Sequence, residues 1–266
     1  MKSTIASSRI RVAVMVLVGA FAISGVSVNR PALAAEWGDL TGKFVYDGAA
    51  PKPKPLNITA DAAVFGKLGL VDESLLVDPK SRGVANVVIY VRTRDVEIHP
   101  DYTKRAAKEK EARFDNKGGK FVPRVLPIWL DKQTMCLCNS DPVPHNSNLA
   151  PFGDKQINPL LPPKGEIDHK FNVQQLIPVP VSCNIHPWMK GYVLPRKNPY
   201  IAVTDKDGSF KLENLPAGVE LEFQVWHERS GYVAIDGWTR GRFTMKLKSG
   251  KNDLGTKKLA PKLFDK

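Results

Sequence analysis

Cys183, His186 and Met189 stand within seven residues of one another, in the order Cys-x2-His-x2-Met. A cysteine at the end of a strand points its sulfur into the space between sheets. The turn that follows must then bring back an imidazole and a thioether from the same side, and two intervening residues on each arm make a loop tight enough to do so. Pro187 fixes its own φ and removes one backbone N–H, which stiffens that loop. Thiolate, thioether and imidazole together favour copper over magnesium or calcium, and a second imidazole would complete a trigonal His2Cys set with a weak axial Met. His145, 38 residues before Cys183, supplies the candidate. Asn146 beside it can tie the two loops together by hydrogen bonds. The expected metal site is therefore one type 1 copper, with His145, Cys183 and His186 in a plane and Met189 on the axis.

The Cys-x2-His-x2-Met spacing, with proline after the histidine, resembles the ligand loop of amicyanin-type cupredoxins, and His145-Asn146 resembles the distant histidine of those proteins. Longer stretches, among them GVANVVIYV, NSDPVPHN and PVPVSCNIHPWMKGYVL, resemble a bacterial family of secreted cupredoxin-like proteins labelled methylamine utilisation protein or plastocyanin-like. That resemblance implies a copper site and a β-sandwich and names no substrate. The family tends to carry cysteines near Phe65-Gly66 and Gly118-Gly119, and polar residues where this chain has Cys136 and Cys138.

Arg9 and Arg11 precede an apolar run from Val12 to Val28, and Ala32-Leu33-Ala34 follows as an A-x-A cleavage site. Residues 1–34 are read as a Sec-type signal peptide, the alternative being an uncleaved anchor, and the protein as periplasmic or secreted. Of the formal +12 charge, four positives (Lys2, Arg9, Arg11 and Arg30) lie in that leader, so the rest is near +8. Such a balance suits an acidic redox partner steered by basic residues such as Lys190 and Arg196. No basic helix or aromatic-rich RNA motif is present, so nucleic acid is not an expected partner.

The remaining chain reads as β almost throughout. Leu40–Tyr46, Val84–Val91, Phe121–Cys138, Val179–Leu194, Tyr200–Thr204, Ser209–Glu213 and Leu221–Trp226 carry strand signals, with turns at Asp47-Gly48 and Asp205–Gly208. The charged stretch Asp101–Lys120 reads as an insertion, its Tyr102–Phe114 part either a short exposed helix or a solvated loop. The fold class is all-β: a cupredoxin-like Greek-key β-sandwich over 35–198, continuing into a smaller module over 199–266. The second module resembles carboxypeptidase-regulatory or transthyretin-like domains.

The other candidates read as structural. His99, His169 and His227 have no sulfur or second imidazole near them in sequence. Asp205–Gly208 is a turn, lacking the later ligands of a calcium loop. Cys136 and Cys138 should face away from Met135 and Leu137, packed under the insertion or the second module; a disulfide between them would need a bulge or a distorted strand, since strand residues two apart sit nearly 7 Å apart. A thiol pair could otherwise hold a cuprous ion. No hydrolase, zinc-protease or P-loop motif appears, and a site with all four positions filled leaves no place for substrate, so an electron carrier is expected and not an enzyme. The alternatives are an extracytoplasmic interaction or adhesion protein with a structural metal, and a copper storage or delivery protein.

Overall fold

A computed structural model describes residues 36–265; the leader falls outside them. The described chain is all-β, with sheets packed face to face in four layers. The first layer joins Trp37–Tyr46 to Ser209–Pro216 on one side and to Gly250–Leu259 on the other. The second contains Val88–Val91, Ile201–Val203, Glu220–His227, Gly231–Tyr232 and Arg242–Lys246. The third orders Val125–Trp129, Lys190–Arg196, Val179–Ser182 and Asn148–Leu149. The fourth orders Glu166–His169, Thr134–Asn139, Glu111–Asn116 and Phe121–Val122.

Alternation along each strand builds the stack. Val87, Ile89 and Val91 face the first layer, where they meet Leu40, Phe44, Phe210 and Leu212. Val88 and Tyr90, between them, face the third layer and meet Val125 and Leu194. A strand buried on both faces needs an unbroken apolar run, which is why Val87–Val91 carries no charge. On the far side of the third layer, Val179, Val181 and Val193 pack against Phe114, Met135 and Leu137 of the fourth. The bidentate Arg124–Glu228 pair, at 2.9 and 2.7 Å, ties the second and third layers together at their edge.

Strands from both sides of the expected division at 198/199 share the first two layers. Trp37–Tyr46 and Val88–Val91 pair with segments drawn from 201–259. The turn at Asp205–Gly208 forms as expected, and Gly208 is obligatory there: φ is +83° and a Cβ would lie 2.2 Å from the carbonyl oxygen of Phe44. The charged insertion resolves into two elements. Helix α1, Ala62–Phe65, precedes it; helix α2, Pro100–Lys108, opens it, with His99 Nδ1 accepting from the Asp101 N–H at 3.1 Å. Glu111–Asn116 is then a fourth-layer strand, burying Ala112 and Phe114 while Glu111 and Arg113 face solvent. Charges on its outer face concealed that alternation from a reading by composition.

Arg196, expected at the surface, is 3% exposed. It donates to the carbonyls of Gln175 and Val91 and lies over the Tyr90 ring. Burial holds its pKa below the ordinary arginine value, so it is a structural cation and steers nothing.

His227 is a core residue, 1% exposed and edge-on to Phe264 at 5.2 Å. Burial, with Arg124 and Arg229 nearby, pushes its pKa down to about 3. The unfolded chain therefore takes up a proton below about pH 6.5 that the folded chain refuses, so this stability is complete above about pH 6.5 and is lost as pH falls. Urea unfolding free energies should decline between about pH 6.5 and 5 by up to ~1.4 kcal/mol per pH unit from this residue. His227→Gln should flatten that slope; an unchanged slope would remove His227 as its source.

Candidate metal centre

The strand Val179–Ser182 ends at Ser182, which pairs with Lys190 of the returning strand. Between them, Cys183–Met189 forms a closed turn: the Cys183 N–H donates to the Met189 carbonyl at 3.3 Å and the Met189 N–H to the His186 carbonyl at 2.8 Å. The stiff, tight loop expected from the spacing is present. His145 arrives on the short strand His145–Asn146, paired with Leu160–Leu161. Asn146 joins the two loops. Its side-chain carbonyl accepts from the backbone N–H groups of Asn184 and Ile185, at 2.8 and 3.3 Å, and its amide donates to the Asn184 side chain at 3.2 Å.

These supports bring three donor atoms together. Cys183 Sγ lies 3.8 Å from His145 Nδ1 and 3.7 Å from His186 Nδ1, and the two Nδ1 atoms are 2.9 Å apart. His145 and His186 are 0% exposed and Cys183 is 1%. Each ring is fixed from behind by a carboxylate: His145 Nε2 meets Asp141 Oδ2 at 3.0 Å and His186 Nε2 meets Asp61 Oδ2 at 2.8 Å. With both Nε2–H groups donating outward, both Nδ1 lone pairs point inward at each other and at the sulfur. Three electron-rich atoms at this spacing repel unless a proton or a cation lies among them.

The titration behaviour agrees with that crowding. Burial would lower the His145 pKa, but its hydrogen bonds to Asp141 and Cys183 outweigh burial and raise it. Burial dominates at His186 and lowers it. Burial would raise the Cys183 thiol, yet hydrogen bonds from His145 and from backbone N–H groups of the loops hold it below the ordinary range. The two shifts run toward each other, the imidazole of His145 holding its proton more tightly and the thiol of Cys183 less tightly than usual. A metal would take the place of that proton.

The chemistry of the donor set suits a soft metal, and two of the three edges of the triangle suit a trigonal site, the nitrogen–nitrogen edge of 2.9 Å being shorter. Ligands about 2.0–2.3 Å from a common centre in a plane would stand roughly 3.5–4 Å apart, close to the two sulfur–nitrogen distances. Met189 is 1% exposed and shares the hydrophobic core of Cys183. Trp188, half-buried, lies 5.1 Å from the His186 ring and donates to the Gly119 carbonyl at 3.2 Å.

Sequence reading passed over three residues here. Asp141, four positions before His145, also accepts from the Gly118 and Gly119 N–H groups, at 2.5 and 2.9 Å; a carboxylate preceding a candidate ligand was its available signal. Asp61 and Phe65 had none, because Asp61 is 125 residues from His186 in sequence. His99, His169 and His227 do not join the donor cluster.

Cys136 and Cys138 face away from Met135 and Leu137, as expected. They are 1% and 2% exposed beneath Arg113, which is paired with Glu111 and Glu166. Contrary to the expectation of separate thiols, the two are joined in a disulfide, with Cα atoms 5.9 Å apart. The strand contracts below the nearly 7 Å of an ideal pleat to allow it.

No protein-family model matches the chain, and no curated protein matches it. Solved structures similar to part of it include a copper-containing nitrite reductase from Thermus scotoductus SA-01, at 21% identity and TM-score 0.28, over 32% of this chain and 22% of that one. A purple cupredoxin from Nitrosopumilus maritimus is 23% identical, TM-score 0.25, over 32% of this chain and 98% of that one. A reduced amicyanin variant is 17% identical, TM-score 0.30, over 41% of this chain and 98% of that one. The match thus spans less than a quarter of the nitrite reductase. At these TM-scores the likenesses carry no weight on function.

Asn146→Ala should cost about 1–3 kcal/mol of stability, since it strands two backbone donors of the ligand loop. Denaturant unfolding of the metal-free protein measures this, and an unchanged midpoint and slope would show that Asn146 does not hold the loops together.

Proposed function

We propose that the protein is an exported type 1 copper protein that carries single electrons between redox partners. The observation that carries this reading is the buried triangle of His145 Nδ1, His186 Nδ1 and Cys183 Sγ, with both rings locked from behind by carboxylates. Bound there, copper would supply one-electron chemistry by alternating between cupric and cuprous states. The chain's contribution is to fix its donors. The closed turn holds Cys183 and His186, Asp141 and Asp61 set the tautomers of the two rings, and Asn146 keeps the loops in register. Donors held this firmly move little when the charge at their centre changes by one. Met189 would hold the copper as a fourth and weaker donor, tuning its potential more than anchoring it. A filled, buried site suits electron transfer better than turnover of a substrate, so the protein is read as a carrier and not an enzyme.

In this reading all ligands lie in the 35–198 segment, and the 199–266 segment is a β module that completes the first two layers around Trp37–Tyr46 and Val88–Val91. The charge near +8 outside the leader favours an acidic redox partner, with Lys190 exposed beside the ligand loop. The leader motif supports a location in the periplasm or outside the cell, with cleavage near Ala34. No helix among the described residues is long and apolar enough to cross a membrane.

Metal analysis of the purified chain after copper loading should give one copper per protein. Cys183→Ala should abolish tight binding, and Met189→Leu should keep the copper while raising the reduction potential. Full copper retention in Cys183→Ala would overturn the assignment; loss of copper in Met189→Leu, or an unchanged potential, would remove Met189 from the role of weak fourth donor.

A further inference from the structure

The outer edge of His186 is covered by a separate piece of chain. The segment Leu56–Leu70 is closed at its base: the Leu56 N–H donates to the Leu70 carbonyl at 2.9 Å, and Pro55 and Val71 form an isolated bridge beside it. From this loop Asp61 reaches in to His186 Nε2 at 2.8 Å. Its side chain is 37% exposed while that of His186 is 0%, so the carboxylate connects a sealed imidazole to the surface. Asp61 holds a left-handed backbone, φ 47° and ψ 42°, a conformation uncommon for a residue other than glycine and one that clusters at functional sites.

Phe65 supplies the underside. It is 1% exposed, edge-on to His186 at 5.1 Å and tilted over His145 at 6.0 Å. With Leu70 it rests on Gly119, where an added Cβ would lie 3.0 Å from Leu70 Cδ1 and 3.1 Å from Phe65 Cδ1. The absence of a side chain at Gly119 lets the loop settle this low. The outer side carries the exposed Ala62, Ala63 and Leu68.

We infer that Asp61 is a positioning residue for His186 and that the 56–70 loop is a roof over the donor triangle, closing the outer imidazole edge to solvent and small ligands. A redox partner approaching this edge therefore meets the roof and not a bare imidazole. The inference deepens the copper reading, but the closure itself exists in the metal-free chain and can be tested there. A carboxylate accepting from Nε2–H makes the imidazole a stronger donor at Nδ1 and stabilises the more highly charged metal. Removing it should raise the reduction potential.

The test compares wild type, Asp61→Ala, Asp61→Asn and Phe65→Ala, with thermal unfolding as the check on folding. In the metal-free proteins, the rate of Cys183 alkylation by iodoacetamide, followed by mass spectrometry, reports roof opening. Asp61→Ala should speed it roughly tenfold or more, corresponding to about 1.4 kcal/mol lost from the closed state. Phe65→Ala should also speed it, while Asp61→Asn, which keeps an acceptor for Nε2–H, should stay near wild type. After copper loading, azide should perturb the visible spectrum of Asp61→Ala and not that of wild type, and the potential should rise in both Asp61 variants. Equal alkylation rates in wild type, folded Asp61→Ala and folded Phe65→Ala would overturn the roof. An unchanged potential and spectrum in Asp61→Ala, beside a coloured wild type, would overturn the positioning role. A colourless copper-loaded wild type would instead sink the copper reading, and the alkylation rates would still decide the roof.

Discussion

Repulsion among three converging donors is the constraint on which this structure depends. Two imidazole lone pairs and a sulfur share a buried space in which the ring nitrogens are 2.9 Å apart. Such an arrangement does not hold itself together, and it persists because each member is fastened from outside. Asp141 and Asp61 grip the far nitrogens, and Asn146 binds the loop carrying Cys183 to the loop carrying His145. Backbone N–H groups of the turn point at the sulfur, including that of His186 at 3.4 Å. Opposite charge or metal in the middle relieves the strain that these outer contacts impose.

The layers explain why the fastening is rigid. Cys183 and Met189 lie at the ends of two adjacent third-layer strands, and that layer has apolar contacts on both faces. A shift of the ligand loop would have to carry Val181 and Val193 with it, against a core packed with Phe114 and Leu137. The first two layers brace the third from the other side, through Tyr90, Leu194 and Trp226. Trp226, beyond residue 198, therefore helps to brace the layer that carries the ligand loop.

Local sequence carried much of this. The Cys183–Met189 spacing showed the loop, and the resemblance of His145-Asn146 to the distant histidine of cupredoxins pointed to its counterpart. Alternation also exposed the strands at Ser209–Glu213 and Leu221–Trp226. What stayed hidden was set by distance along the chain or by the second face of an element. Glu111–Asn116 looked like a solvated segment because its outward residues are charged. Arg196 looked like surface because burial of its guanidinium depends on the carbonyls of Gln175 and Val91, which only the folded layers bring to it. Asp61 and Phe65 lie in a loop that follows a proline-rich stretch and has no pattern of its own, and only packing reveals that they cover the site.

The central claim is that Cys183, as thiolate, and two imidazoles bind one copper in a trigonal plane. The optical and electron spin resonance spectra of the copper-loaded protein test it most directly. Cupric ion bound to the Cys183 sulfur in that geometry should give an intense visible charge-transfer band, bleached by a one-electron reductant and restored on reoxidation. A copper-loaded protein with only the weak visible absorption of nitrogen- and oxygen-bound cupric ion, or no band in any redox state, would contradict the account.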